Sequence, residues 1–256
     1  MQHLYILTGA SRGLGLGIAR QLLAPGNVLL CIARHRNDEL DTLVANTSHC
    51  ALEQWTADLG DGGATVAMRL RDWLSRLEGN DFASVTLINN AAVLPRIAPL
   101  TDASRDDITS VLRVGLEAPL QLSAAFLDAT ANWTGARRVL NISSGNGRRA
   151  MASQSLYSAA KAGMDHYSRC VALEEAARSN GARICSLAPG IIDTDMQTHL
   201  RGADASAFPD HARFVEYHSS GQLLGIDAAA ERVLRYLARP DFGDNPVGDV
   251  RDPLPA

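Results

Sequence analysis

The sequence has 256 residues, of which 46% are hydrophobic and 20% charged, values that fit one substantial globular domain. Its formal net charge of −4 gives no general attraction to nucleic acid or to an anionic membrane. No apolar run approaches the roughly 20 residues that span a bilayer, and no secretory signal pattern opens the sequence. We expect a cytoplasmic protein that binds neither nucleic acid nor membrane.

The cysteines and histidines give no sign of a metal centre. Four cysteines lack the spacing of a metal site or a redox pair, and seven histidines form no ligand cluster. Cys31 and Cys185 fall in predicted strands, where buried free thiols are expected. We predict no catalytic metal and a reducing compartment.

Apolar runs alternate with amphipathic segments along the chain, which is typical of a parallel sheet covered by helices. The predicted strands are 4–8, 27–33, 51–57, 85–89, 137–143, 183–188 and a weaker one near 246–250. The predicted helices are 13–24, 37–46, 62–77, 102–112, 115–131, 154–179 and 227–238. Residues 1–256 are therefore expected to form a single α/β domain, a doubly wound parallel sheet of about seven strands with helices on both faces.

The first strand leads into the turn Thr8-Gly9-Ala10-Ser11-Arg12-Gly13-Leu14-Gly15 and then into a helix. Glycines let a backbone approach a pyrophosphate, and a helix N-terminus receives its charge. The turn predicts a dinucleotide site in a Rossmann fold. It also contains Gly-x-Ser-x-Gly, the pattern of a serine-hydrolase nucleophile. We reject that alternative because too little chain precedes Thr8 to supply an oxyanion-hole loop.

The residues after the second strand indicate the cofactor. An acid there normally holds the ribose hydroxyls of NAD, but this sequence has Arg34-His35-Arg36. Arg34 and Arg12 suit the 2′-phosphate of NADP through charge-assisted hydrogen bonds, although either arginine could be a solvated surface residue. We predict NADP(H) as the cofactor and Asn37 or Asp38 as the cap of the next helix.

Tyr157 and Lys161 lie four residues apart in a predicted helix, so their side chains share one face. A neighbouring ammonium favours the phenolate of a tyrosine and moves its pKa toward neutrality, where proton transfer is most effective. Such a pair also occurs by chance in many helices, so it gains meaning only from the other motifs.

The glycine-rich turn, Asn89-Asn90-Ala91, Ser144 and the Tyr157/Lys161 pair together resemble the classical short-chain dehydrogenase/reductase family. The resemblance covers the chain from about residue 3 to its end. Residues 182–196 and the run Ala172-Leu173-Glu174-Glu175 look most like sepiapterin reductases and bacterial benzil-reductase-type carbonyl reductases.

The resemblance implies a catalytic set of Ser144, Tyr157 and Lys161. Ser144 would polarise a substrate carbonyl, and its neighbour Ser143 is the alternative. Tyr157 would donate a proton as the nicotinamide delivers hydride, and Lys161 would also hold the nicotinamide ribose. Gly115 stands where the family commonly has an asparagine that holds a water of the proton relay. Three alternatives remain for the proton relay of this chain: water alone completes it, Asn146 substitutes for the asparagine, or proton resupply is slower.

The resemblance also implies the cofactor contacts. Asp58 and Leu59 would flank the adenine, and Thr194 would bond the carboxamide. Ala92 replaces the usual glycine beside the cofactor channel. The implied cofactor-binding residues are Gly9, Ser11, Arg12, Gly13, Leu14, Gly15, Arg34, Asp58, Leu59, Asn89, Ala91, Tyr157, Lys161, Pro189, Gly190, Ile192 and Thr194.

Residues 191–221 match the family's mobile substrate lid, or else form a surface insertion. Apolar residues expected in the substrate wall, if they are not core residues, are Leu94, Ile97, Met151, Phe208 and Phe214. Asp249 matches a substrate-anchoring aspartate of sepiapterin reductases, although a turn residue is the alternative. The family pairs subunits through its long helices, so a homodimer or homotetramer is expected.

These features predict an NADPH-dependent carbonyl reductase for a small-molecule ketone or diketone, including aromatic or pterin-like ones. The alternative is a non-catalytic dinucleotide-binding regulatory protein, which only Gly115 and Ala92 favour.

Overall fold

The computed structural model describes residues 1–254 and, for residue 62 within a helix, the backbone alone. Within that range, seven strands form one sheet in which every neighbouring pair is parallel. Their order is β3-β2-β1-β4-β5-β6-β7. The strands are β1 (Gln2–Thr8), β2 (Asn27–Ala33), β3 (Ala51–Thr56), β4 (Phe82–Asn89), β5 (Ala136–Ile142), β6 (Arg183–Ala188) and β7 (Val247–Asp249). The prediction of seven strands is confirmed, because apolar residues on both faces of the inner strands mark them clearly.

Helices cover both faces of the sheet. They are α1 (Gly13–Leu22), α2 (Asp38–Ala45), α3 (Leu59–Leu74), α4 (Arg105–Leu112), α5 (Ala118–Ala129), α6 (Ser155–Ala176), α7 (Asp195–Arg201), α8 (His211–Ser219) and α9 (Ile226–Leu237). On one face, Ile18 of α1 packs with Val233 of α9 in a buried apolar core. On the other, Leu70 of α3 packs with Phe126 of α5. The doubly wound fold is confirmed.

The order in which strands are added to the sheet changes direction at β1 and β4, and this change positions the site. The chain runs outward from β1 to β3, returns to β4 beside β1, and then proceeds to β7. The loops that follow β1 and β4 therefore diverge, and the crevice between them is where open α/β sheets bind ligands. The glycine-rich turn and Asn89-Asn90-Ala91 meet at this crevice.

Two regions differ from the expected element pattern. The segment 191–221 contains α7 and α8, which the sequence did not predict. Residues Arg113–Glu117, between α4 and α5, form a π-helical turn. Such turns are uncommon and occur frequently at functional sites. Among the residues that the structure describes, no helix is long and apolar enough to cross a membrane.

Candidate active site

A cavity of about 750 Å³ lies along the carboxyl ends of the central strands. Its size falls within the range of small-molecule and cofactor sites. The predicted site residues that line it are Gly9, Ser11, Arg12, Gly13, Leu14, Gly15, Arg34, Asp58, Leu59, Ala91, Leu94, Ser144, Met151, Tyr157, Lys161, Pro189, Gly190, Ile192, Thr194 and Asp249. Residues from distant parts of the chain thus converge on one site.

Asn89 is the predicted cofactor residue that does not line this cavity. Its side chain is buried in the core, where Nδ2 donates to Asn141 Oδ1 at 2.8 Å and to Ser123 Oγ at 3.2 Å. The other two residues of the predicted segment Asn89-Asn90-Ala91 line the cavity. Asn90 Nδ2 donates to the carbonyl oxygen of Thr8 at 2.9 Å, so it holds the glycine-rich turn against β4.

The glycine-rich turn forms a cradle that has no room for side chains. Gly9 has a φ of +70°, a backbone conformation that favours glycine. A Cβ atom at Gly15 would lie 2.1 Å from the carbonyl oxygen of Gly9 and 2.5 Å from Asn90 Nδ2. Gly15 therefore lets α1 begin in close contact with the turn and with Asn90, and the turn itself lines the cavity. A pyrophosphate fits both features, since helix N-termini stabilise anions.

The two predicted cations, Arg34 and Arg12, both line the cavity. Arg34 is exposed and lines the cavity, whereas Arg36 is held by both carboxylate oxygens of Asp41 at 3.0 and 3.1 Å. Arg12 Nη1 contacts Asp195 Oδ2 at 2.8 Å, and both side chains are largely exposed. That pair links the turn to α7. Arg34 is the better placed of the two predicted cations to receive an anion.

Polar groups around the neighbouring loops are engaged in capping. Asn37 accepts a hydrogen bond from the backbone of Glu39 and caps α2, which confirms one of the two predicted caps. Asp58 caps α3 by accepting from the backbone N–H of Gly60 at 2.8 Å. Asp58 therefore fixes the loop that lines the cavity. Arg113, which sequence reasoning missed, also lines this region and donates to the carbonyl oxygen of Gly60.

Helix α6 positions Tyr157 and Lys161 on one buried face. Tyr157 is 7% exposed and Lys161 is 2% exposed. Lys161 Nζ donates to the carbonyl oxygen of Ile142 at 2.6 Å and lies 5.7 Å from the centre of the Tyr157 ring. The ammonium is thus anchored to the end of β5, two residues before Ser144. The helix face and the strand end hold the three predicted catalytic residues together.

Burial dominates the protonation of this pair. It raises the pKa of Tyr157 to about 12, and hydrogen bonding with the Ser144 hydroxyl opposes that rise. Burial also lowers the pKa of Lys161 to about 8, while the negative charge of Asp165 acts to raise that pKa. The expectation of a lowered tyrosine pKa is not met in the protein alone, because burial of the phenol outweighs its hydrogen bond with Ser144. Tyr157 is therefore protonated at neutral pH.

The two adjacent serines after β5 have different environments. Ser143 is buried, and its hydroxyl donates to Asp165 Oδ1 at 2.5 Å. Ser144 is only partly buried and its Oγ accepts from the backbone N–H of Asn146 at 3.2 Å. The Ser144 hydroxyl also hydrogen-bonds with Tyr157 and lines the cavity, so a ligand oxygen placed there can contact both hydroxyls. Ser144 is the better candidate for a carbonyl contact.

Gly115 lies within the π-helical turn and packs against α6. A Cβ at this position would lie 3.1 Å from Cβ of Ala160, the residue before Lys161. The missing side chain therefore permits a close approach of the turn to α6. Asn146 lines the cavity, but its amide Nδ2 donates to Gln154 Oε1 at 3.0 Å. Its substitution for the missing asparagine stays a prediction.

The segment 191–221 and the loop after β4 form the other wall. Apolar side chains in this wall are Leu94, Met151, Leu200 and Phe214. Ile97 and Phe208 were expected here, but they do not line the cavity: they lie in a small core under the segment. The aromatic pair Phe208–Phe214 stacks at 5.4 Å between ring centres, so one ring supports the other from behind. Movement of this segment stays a prediction.

Asp249 lies at the substrate end of the cavity but is already paired. Both of its carboxylate oxygens accept from the Arg251 guanidinium, at 2.7 and 2.6 Å. These bonds hold the pKa of Asp249 below its ordinary value. The carboxylate therefore presents a neutralised ion pair to the cavity, and the predicted anchoring of a substrate by Asp249 would require Arg251 to move.

The sequence profile of the short chain dehydrogenase family matches residues 3–205. The chain belongs to this family. Its members are oxidoreductases that act on carbonyl or alcohol groups with a nicotinamide dinucleotide, and the glycine cradle, the helix N-terminus of α1 and the Tyr157/Lys161 pair fit such a cofactor.

Two groups of characterised relatives are similar over nearly the whole chain. A benzil reductase ((S)-benzoin forming) of Bacillus cereus is 31% identical over 246 residues, which is 96% of each protein. A sepiapterin reductase of Meriones unguiculatus is 32% identical over 260 residues, covering 96% of this chain and 95% of the relative. The predicted family, and the predicted likeness to these two groups, are confirmed.

A solved structure from Agrobacterium tumefaciens that contains bound NADP has the same fold. It is 26% identical, covers 97% of this chain and 94% of its own, and superposes with a TM-score of 0.77.

Proposed function

We propose that this protein is an NADPH-dependent carbonyl reductase that reduces a ketone or diketone, with Tyr157 as the general acid. The observation that carries the proposal is the buried cluster at the end of β5, in which Lys161 is bonded to the Ile142 carbonyl and Ser144 lies beside Tyr157. A bound nicotinamide dinucleotide would supply the hydride.

The protonation states support proton donation to a carbonyl oxygen. Tyr157, with its pKa raised to about 12, carries its proton at neutral pH and can give it up as negative charge develops on the substrate oxygen. The Ser144 hydroxyl would stabilise the same oxygen. The ammonium of Lys161 would then favour the phenolate that is left, because opposite charges in a buried site interact strongly.

The charges near β2 support NADPH as the cofactor. Arg34 faces the cavity, and Asp38 and Glu39, the acids that follow, belong to α2 rather than to the end of β2. Glu39 is moreover bound by Arg20. An adenosine ribose at this point would meet a guanidinium, which suits a 2′-phosphate. The NADP bound to the Agrobacterium structure agrees with this assignment.

The substrate end favours a carbonyl compound with a sizeable apolar part. Leu94, Met151 and Phe214 face the cavity, and apolar or aromatic ketones gain binding energy from such contacts. Because Asp249 is paired with Arg251, we place diketones such as benzil ahead of amino-bearing pterins. The names of the two similar groups of reductases refer to these two substrate types.

NADPH oxidation at 340 nm across benzil, shorter diketones, quinones and sepiapterin tests the proposal. We expect turnover with at least one diketone and weaker turnover with the pterin. Tight NADPH binding with no turnover of any carbonyl would instead favour the non-catalytic regulatory alternative. The proximity of Ser144 to the buried Tyr157 and Lys161 side chains favours the enzyme.

We also propose that the protein assembles as a homodimer or homotetramer. Leu120 on α5 and Leu173 on α6 are 40% and 77% exposed, and burying them against a second copy would be favourable. Size-exclusion chromatography with light scattering measures the assembly, and a monomer at micromolar concentration would contradict it.

A further inference from the structure

Asp165 is a buried carboxylate that the proposed reaction does not use directly. It lies four residues after Lys161 and eight after Tyr157 on α6, so the three side chains follow one another along a single face. Asp165 is 2% exposed. Its Oδ1 atom accepts from the hydroxyls of Ser143 at 2.5 Å and Ser186 at 2.7 Å. One carboxylate oxygen therefore ties α6 to the residue that follows β5 and to the interior of β6.

The other oxygen of Asp165 is poorly compensated. Oδ2 is buried and has no hydrogen-bond partner among the residues that the structure describes. Its ion-pair contact is with Arg148 Nε at 3.9 Å, while Arg148 Nη2 donates to the carbonyl oxygen of Gly248. Two hydroxyls and a distant guanidinium are weak compensation for a buried charge, which is costly unless a cation is near.

Within the described part of the chain, Lys161 is a buried cation that lacks an anionic hydrogen-bond partner, just as Asp165 is a buried anion with little cationic compensation. It is as deeply buried as Asp165, and its Nζ is bonded to a carbonyl oxygen and contacts the sulfur of Met164. Those partners carry dipoles but no full negative charge. The carboxylate one helical turn further along the same face supplies that charge.

We propose that Asp165 is a positioning residue of the active site, which holds the strand end beside Ser144 and keeps Lys161 in its ammonium form. The inference rests on the proposed function, in which the charged Lys161 stabilises the phenolate of Tyr157. Burial lowers the pKa of Lys161 to about 8, and the charge of Asp165 raises it. Without that carboxylate, more of Lys161 would be neutral at physiological pH.

The titratable and charged groups around the pair come from four elements. Tyr157 shares the helix face, and Arg148 approaches from the turn after β5. Cys185 on β6 lies within the field of Asp165, and burial raises its thiol pKa to about 12, so it stays neutral. Asp249 at the end of β7 interacts with Arg148 and Arg251. Asp165 is therefore the anion that acts on Lys161.

The test is the pH profile of kcat for ketone reduction with saturating NADPH. Asp165→Asn keeps the size of the side chain and an oxygen acceptor for both serines, but removes the charge. We expect the fall in kcat at high pH to move about one pH unit lower, the low end of the shifts that a neighbouring opposite charge produces. Ser186→Ala is the matched control: it removes a hydrogen bond to Asp165 and keeps the carboxylate, so its high-pH limb should coincide with that of the wild type.

Arg148→Gln provides the opposite perturbation and does not depend on the folding of Asp165→Asn. It removes the cation that competes for the Asp165 charge, so the high-pH limb should move upward. Coincident limbs for the wild type and either charge variant would overturn the inference. If Tyr157→Phe abolishes turnover in that case, only the role of Asp165 fails. If Tyr157→Phe remains active, the proposed function itself fails.

Discussion

We predict that Arg34 determines the preference for NADPH over NADH, and the Arg34→Gln variant measures the size of that preference. Arg34 is exposed at the β2 end of the cavity, where a 2′-phosphate would receive its guanidinium. A hydrogen bond to a charged group contributes about 1.5–3 kcal/mol. Because solvent screens an exposed pair, we take the lower value of about 1.5 kcal/mol, which corresponds to roughly tenfold in affinity.

The assay is initial-rate kinetics with NADPH and with NADH for each variant. Arg34→Gln should raise the KM for NADPH about tenfold and leave the KM for NADH unchanged. Arg36→Gln is the matched control, since Arg36 is two residues further on and is bound to Asp41 instead of facing the cavity. Equal effects of Arg34→Gln on both cofactors, or a larger effect of Arg36→Gln, would refute this reasoning.

Three further results are expected. Gly15→Ala should abolish tight NADPH binding in a fluorescence titration, because its Cβ would lie 2.1 Å from a backbone oxygen of the turn; Gly225→Ala should not, because nothing lies within 4 Å of the added atom. Ketone reduction should slow as the pH rises through the Lys161 pKa of about 8, since the protonated fraction of Lys161 falls. A rate that stays constant up to pH 9.5, ~1.5 units above that pKa, would contradict this expectation. Arg137→Ala should destabilise the fold by about 3–5 kcal/mol in urea titrations, because it breaks the buried pair with Glu175 at 3.2 Å and leaves the carbonyl oxygens of Leu127 and Asn180 without their guanidinium donor, while Arg178 still contacts Glu175 at 3.1 Å; a loss below about 1 kcal/mol would fit an exposed pair instead.

The sequence predicted the sheet well because burial on both faces leaves a strong local signal. Strands β2 and β6 begin and end at the predicted residues, 27–33 and 183–188. Helices α7 and α8 were missed, since their apolar residues, such as Leu200 and Phe214, pack into a small separate core and give no long amphipathic pattern.

Site residues that belong to a sequence motif were predicted, whereas those whose position depends on tertiary contacts were missed. The motif Asn89-Asn90-Ala91 marked the segment but did not show that Asn89 turns into the core while Asn90 and Ala91 line the cavity. Burial, which only the packed structure reveals, reversed the expected direction of the Tyr157 pKa shift. Asp165 carried no motif, and its contacts with Ser143 and Ser186 span 22 and 21 positions.

The most direct test of the account is the turnover of Tyr157→Phe with NADPH and the best diketone of the panel. The variant retains the ring that packs in the site and loses only the hydroxyl. General acid catalysis contributes about 10²–10⁴-fold, so we expect kcat to fall by at least 10²-fold while the Kd for NADPH stays within twofold of the wild type. A kcat near that of the wild type would contradict the assignment of Tyr157 as the proton donor.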